Sequence, residues 1–148
     1  MTERSATVHT IGHGRESFDA LADRLRPHGV QTIVDVRSAR YSKHAPEFTK
    51  DSLEQLCSAS GLGYRYLGDR LGGLPSPHPP SVESTEAAIV ELLGLAASSH
   101  VVLLCSEIDP QGCHRDGTLA RALEARGIRV AHILGDGSVA RHQPRLSW

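Results

Sequence analysis

The stretch Val30-Gln31-Thr32-Ile33-Val34-Asp35-Val36-Arg37 decides the fold. Ile33, Val34 and Val36 are too continuous for a strand with one wet face, so the segment reads as a buried strand. Before it, Phe18, Leu21 and Leu25 fall three and four apart on one helical face, with Ser17 as N-cap and Pro27 and Gly29 as the stop. Working outward, Thr7–Ile11 is a short β-type run closed by Gly12. Ser38–Phe48 reads as an irregular polar loop, after which Thr49 caps a helix carrying Leu53, Leu56 and Cys57 on one stripe, closed near Gly61. Tyr64–Leu67 is a short strand, and the Gly- and Pro-rich Gly68–Pro80 reads as a loop.

The second half repeats the pattern. Ser84 to about Ala97 is a helix with Ile89, Leu92, Leu93 and Ala96 inward. Val101–Cys105 is a second buried strand, Ser106–Gly112 a loop, and Cys113 to about Arg126 a helix stopped by Gly127. Ile128–Leu134 is the last strand and Gly135–Trp148 a tail. Strand, helix, strand in succession implies parallel strands joined by helical crossovers on both faces. The expected fold is therefore an α/β three-layer sandwich with a mostly parallel central sheet of about five strands, in one domain over residues 1–148.

Composition narrows the class of protein. With 39% hydrophobic and 22% charged residues, the 148-residue chain suits one packed domain rather than a disordered one. A net charge of -1 argues against coating nucleic acid by bulk electrostatics. Lys43 and Lys50 are the only lysines, so the cations are mostly arginines, which grip phosphate and carboxylate bidentately. Met1–Thr10 lacks the apolar region of a secretory signal, and three cysteines make no disulfide scaffold; a cytoplasmic location with reduced thiols is expected.

In parallel sheets, ligands bind beyond the carboxyl ends of the strands. The residues that follow each strand here are unusually polar. They are Gly12-His13-Gly14-Arg15, then Asp35 and Arg37 with Arg40, Tyr41, Lys43 and His44, then Asp69 and Arg70, then Cys105-Ser106-Glu107 leading to Cys113-His114-Arg115; His132 lies within the last strand.

Several of these segments resemble one family. Thr10-Ile11-Gly12-His13, Val34-Asp35-Val36-Arg37, Leu67-Gly68 with Gly72-Gly73, Leu104-Cys105-Ser106-Glu107, Asp109-Pro110, Cys113-His114-Arg115 and His132-Ile133-Leu134 follow the order seen in the bacterial family called domain of unknown function 488. The resemblance runs from about residue 7 to about residue 137, with Gly14 where many members have serine. It implies an α/β fold and marks Cys105 and Cys113 as family positions, without supplying a reaction. A fainter similarity is to rhodaneses, through Asp35-Val36-Arg37 and the strand-cysteine-loop-helix unit from Val101 to Gly127. The departure is the loop: nine residues separate Cys105 from Arg115, among them Asp109 and Pro110, so a tight anion cradle is not expected.

Chemistry and plain structure compete at each position. Cys113 sits at an expected helix start beside His114 and Arg115, where the dipole and a cation favour a thiolate. Cys105 ends a buried strand, which keeps a thiol neutral. Both could instead be small buried hydrophobes, and Cys57 on its stripe reads as core. A Cys105–Cys113 disulfide stays open as an alternative. The Cys-x7-Cys-His spacing lacks the short ligand pairs of structural zinc, so no metal and no cofactor is expected. His13 suits an anion contact or proton transfer, or merely a loop hydrogen bond. Asp35 and Arg37 either pair across the strand end or contact ligand directly. Glu107 is a candidate base, or a cap.

The function read from these residues is a cysteine- and histidine-dependent enzyme acting on an anionic small molecule, such as a nucleotide or nucleic-acid fragment. Cys105, Cys113, His13 and Glu107 form the candidate catalytic set. Arg37, Asp35, Arg115, His114, Tyr41, Lys43 and Arg70 form the candidate binding set, and residues 37–50 offer basic and stacking groups to a nucleic acid. The alternatives are a rhodanese-like sulfur carrier and a non-catalytic anion or nucleic-acid binding module.

Overall fold

The structure is a computed structural model and describes residues 7–37, 48–71, 81–105 and 118–141. The strands are β1 (Thr7–Gly12), β2 (Thr32–Asp35), β3 (Gly63–Tyr66), β4 (Val101–Cys105), β5 (Arg129–Ile133) and β6 (Val139–Arg141). The helices are α1 (Phe18–Leu25), α2 (Lys50–Ala59), α3 (Gly68–Leu71), α4 (Val82–Ser98) and α5 (Thr118–Glu124). The sheet order is β3-β2-β4-β1-β5-β6. All pairings are parallel except β5 with β6, which is antiparallel.

Local chemistry sets the helix starts. Ser17, Thr49 and Ser81 each accept a hydrogen bond from the backbone N–H three residues on, satisfying a donor that the first turn leaves unpaired. After α1 the chain makes one 3-10 turn through Pro27 and leaves it at Gly29, whose left-handed φ of 66° suits a residue without Cβ.

Two cores lie on opposite faces of the sheet. Phe18, Leu21 and Leu25 of α1, with Leu53 and Cys57 of α2, pack on Ile11, Ile33, Val102, Leu104 and Ile133. Leu71 of α3, Ala88, Ile89 and Leu92 of α4, and Leu119, Ala120 and Leu123 of α5 pack on Val8, Val34, Val36, Leu103 and Val130. Each fully buried leucine or isoleucine contributes roughly 1.5–3 kcal/mol by leaving water. The fold is thus the expected α/β sandwich, helices on both faces of a mostly parallel sheet.

Three local expectations are corrected. The tail after Leu134 contains a sixth strand: Gly137 N–H donates to Leu134 O and Leu134 N–H to Ser138 O, closing a turn that returns the chain antiparallel to β5. At three residues, β6 is too short for its period to show in the sequence. The Gly- and Pro-rich segment begins with the single-turn helix α3, anchored when Leu71 N–H donates to Leu67 O. The second strand is shorter than read, Thr32–Asp35. The expected start of the last helix at Cys113 lies outside the described residues.

The topology locates a crevice. β1 and β4 are neighbours, yet β1 is followed by α1 on one face and β4 is followed by α5 on the other. Adjacent strands whose chains leave to opposite faces form a switch point, where open α/β sheets bind ligands. The turn Gly12-His13-Gly14 and the carboxyl end of Cys105 stand there.

Candidate functional site

The turn after β1 is held from two sides. His13 N–H donates to Cys105 O at 3.0 Å, continuing the β1–β4 ladder past its last pair, Gly12 with Cys105. From α1, the 8%-exposed Arg24 donates through Nη2 to Gly12 O at 2.7 Å and through Nη1 to Leu134 O at 3.0 Å. Its charge is balanced by Glu16. Arg24 therefore ties together the carboxyl ends of β1 and β5.

Asp35 and Arg37 pair at the end of β2. Asp35 is completely buried and accepts from Arg37 Nε and Nη2, both at 2.8 Å, and from Arg37 backbone N–H at 3.1 Å. Tyr64 of β3 donates its hydroxyl to Asp35 Oδ2 at 2.6 Å. A buried carboxylate with several donors offsets its desolvation, which an isolated one cannot. Burial opposes the Arg37 charge, but the hydrogen bonds and charge of Asp35 outweigh it and its pKa is raised. Burial and the neighbouring carboxylate both push the Tyr64 phenol up, so it stays a donor. Tyr66 hydroxyl donates to Arg37 O at 2.8 Å, fixing the backbone as well.

His13 is joined to this pair. Its Nδ1 lies 2.9 Å from Gly14 O, which only accepts, so the ring proton sits on Nδ1. Nε2 then offers its lone pair to Arg37 Nη1 at 3.2 Å. The ring stacks on Phe48, centroids 4.4 Å apart and 8° from parallel. Burial lowers the His13 pKa, and the Arg37 charge adds to the effect, so the imidazole is neutral at pH 7. Of the five N–H bonds of the Arg37 guanidinium, three are used by Asp35 and His13, and no partner for the other two is found among the described residues.

The sequence-derived candidates are not all gathered. His13, Asp35 and Arg37 meet as expected. Cys105 ends the neighbouring strand and is 1% exposed, but its side chain belongs to the α4–α5 core, whereas His13 lies on Phe48 in the α1–α2 core. The thiol and the imidazole thus project from opposite faces. Arg70 donates to Glu91 Oε1 of α4 at 3.2 Å and also pairs with Asp69; its ion pairs among the described residues are with these two carboxylates, not with the His13–Arg37–Asp35 chain. Cys57 is core, its thiol pushed up to about 12 by burial. Cys113, Glu107, Arg115, His114, Tyr41 and Lys43 lie outside the described residues, as does any Cys105–Cys113 disulfide. Among the described residues no group of three or more His, Cys, Asp or Glu side chains is arranged to hold a metal ion.

Two residues that matter to this site escaped sequence reasoning. Arg24 had a readable signal, since it shares the apolar stripe of Leu21 and Leu25, where a cation needs buried partners. Tyr64 had none, because its partner Asp35 is set by strand pairing between β2 and β3.

Fold and site together define an α/β protein with a buried His–Arg–Asp chain at its topological switch point. The family model described as Domain of unknown function DUF488 matches residues 17–81, so this segment is similar to that family. The matched segment holds Asp35-Val36-Arg37 and Leu67-Gly68; the strand ending in Cys105 and the motif Cys113-His114-Arg115 fall beyond it. No curated protein and no solved structure matches the chain. No helix among the described residues is long and apolar enough to cross a membrane.

Proposed function

We propose that the chain is an enzyme acting on a small anionic substrate, a nucleotide or nucleic-acid fragment, across the carboxyl ends of β1, β2 and β4. The observation that carries this reading is the Arg37 guanidinium: 5% exposed, pinned by Asp35, with two N–H bonds that no described residue takes, beside a neutral imidazole. Fixed donors that need no reorganisation are what an anion's developing charge requires. Arg37 and Arg115 hold the anion, and Cys105 or Cys113 supplies a thiol. The thiolate bonds to the electrophilic atom of the substrate, the bond to the leaving group breaks, and Glu107, or His13 where Cys113 is the thiol, gives the leaving group its proton. Water then cleaves the sulfur-bound intermediate and restores the thiol.

A second reading, a non-catalytic anion-binding module, is favoured by the grip of Asp35 on Arg37, which organises a loop without any chemistry. Nucleotides and short oligonucleotides incubated with the wild type, His13→Asn, Cys105→Ser, Cys113→Ser and the double serine variant separate the two, with products read by mass spectrometry. The enzyme reading expects turnover that falls with His13→Asn and with at least one serine change. Turnover retained in full by every variant removes histidine and thiol from the mechanism. Binding without turnover, insensitive to the serine changes and lost with Arg37→Gln or Arg115→Gln, establishes the binding module. A gain of about 32 Da on a cysteine after thiosulfate treatment would instead point to a sulfur carrier.

A further inference from the structure

Arg24 stands where an apolar residue is expected. Phe18, Leu21, Ala22 and Leu25 give α1 an apolar stripe, and Arg24, 8% exposed, is buried along with them. Its guanidinium reaches two backbone carbonyls and the Glu16 carboxylate, while Nε has no hydrogen-bond partner among the described residues. Taking a guanidinium out of water is costly, and a buried ion pair often stabilises a fold no more than apolar side chains of similar volume. A leucine would suit this stripe better. The reason for an arginine therefore lies in what its bonds hold.

Those bonds hold one turn at both of its ends. Nη2 takes Gly12 O, just before His13, and the carboxylate of Glu16, three residues after it. Between these points Glu16 N–H donates to His13 O at 3.1 Å, and Gly14 takes a left-handed φ of 52°. Nη1 fastens the same guanidinium to Leu134 O at 3.0 Å, a carbonyl that also accepts from Gly137 N–H at 2.9 Å in the turn into β6. On the other side, His13 N–H is bonded to Cys105 O of β4. The turn Gly12–Glu16 is thus fixed to β4 by its own backbone and to the end of β5 by Arg24.

The conformation of this turn decides the state of the imidazole. His13 Nδ1 donates to Gly14 O, a carbonyl of the same turn, so the tautomer follows from where the turn puts that oxygen. This tautomer leaves the lone pair on Nε2 that Arg37 Nη1 is bonded to at 3.2 Å. Arg24 is connected to Arg37 link by link, through the turn, Gly14 O and the His13 ring, each contact being a direct one.

We infer that Arg24, balanced by Glu16, is a positioning residue for the anion edge: it fixes the turn that selects the His13 tautomer, and through His13 it aims the Arg37 guanidinium. The assignment rests on the anion-binding reading of this edge. It makes Arg24 matter more to the site than to the stability of the fold.

The test combines ring-nitrogen chemical shifts of His13, read across a pH titration, with phosphate binding by calorimetry and urea unfolding. The proteins are the full chain as wild type, Arg24→Leu, Arg24→Lys and, as a control on the exposed side of the same helix end, Arg26→Leu. Arg24→Leu is expected to keep or raise the urea midpoint, because it replaces a buried ion pair by an apolar side chain. In the same variant the Nδ1–H tautomer is lost, the lowered His13 pKa returns toward 6.5, and phosphate binds about tenfold more weakly, the equivalent of one hydrogen bond to a charged group. Arg24→Lys keeps the charge but not the planar fork that reaches two carbonyls, and shifts the same readouts in the same direction. Arg26→Leu leaves all of them at wild-type values. The inference is overturned if folded Arg24→Leu keeps the tautomer, pKa and phosphate affinity of the wild type, or if Arg24→Lys does so where the leucine variant does not fold. A wild type that binds no phosphate, with His13 still altered by Arg24→Leu, instead overturns the anion reading and leaves Arg24 as the residue that sets the turn.

Discussion

Arg37 Nη1 donates to His13 Nε2 across 3.2 Å, linking the end of β2 to the turn after β1 over the strand between them, β4. Three strands far apart in sequence are thereby locked at one edge. The link makes the positions of His13, Arg37 and Asp35 interdependent, so damage to one is expected to reach the others.

Asp35→Asn leaves the Arg37 charge buried without its partner. Breaking a buried pair from one side costs about 3–5 kcal/mol, so urea unfolding should show a loss of that order. A loss below about 1 kcal/mol would mean the ion pair does not organise the edge.

Tyr64→Phe removes the phenol donor to Asp35 and nothing else of comparable size. A hydrogen bond to a charged acceptor contributes about 1.5–3 kcal/mol, and the same unfolding measurement should report a deficit in that range. Wild-type stability in the variant would contradict the placement of Tyr64.

Gly68→Ala sets a Cβ 1.8 Å from Arg37 O and 2.7 Å from the Tyr66 hydroxyl. Backbone must move, and the Tyr66–Arg37 hydrogen bond goes with it. Overpacking of this kind costs about 1–3 kcal/mol. The expected readout is a lowered melting temperature with weakened anion binding, since Arg37 is displaced; an unchanged melt would refute the close approach.

His9, His28 and His100 form a cluster on the α1 side of the sheet. His9 and His100 rings lie 4.9 Å apart, with a hydrogen bond of 2.9 Å between His9 Nδ1 and His100 Nε2; His28 is 5.5 Å from His9. Burial, with the two neighbouring histidines, lowers the His9 pKa from 6.5 to about 4. The unfolded chain then binds the proton more tightly than the folded one. The contribution is fully present above about pH 6.5 and lost as pH falls toward about pH 4. Melting temperature should decline through that window in the wild type and less steeply in His9→Gln; parallel profiles would exclude His9 as the cause.

Much of this architecture was legible in the residues. Runs such as Val101–Cys105 and Ile33–Val36 announce strands buried on both faces, and the helical stripes between them imply parallel crossovers. Strand order was not legible, because β1 and β4 are paired by packing between segments about ninety residues apart, on which local pattern is silent. Nor did the sequence reading separate the faces. Convergence on one rim is visible in the list His13, Arg37, Cys105, but side-chain direction follows the parity of each residue against its neighbours. Ile11 and His13 share a parity on β1, and Leu103 and Cys105 share one on β4; only the packed cores reveal that these are opposite faces.

The central claim is that the His13–Arg37–Asp35 edge receives an anion, and the His13 imidazole reports on it directly. Nuclear magnetic resonance of that ring should find it neutral at pH 7 with its proton on Nδ1, accepting at Nε2. Inorganic phosphate or a nucleoside monophosphate that takes the spare Arg37 donors adds negative charge beside the ring, so the His13 pKa is expected to rise on titration, and less so at high salt. An imidazole whose resonances and pKa do not respond to either anion would contradict the account.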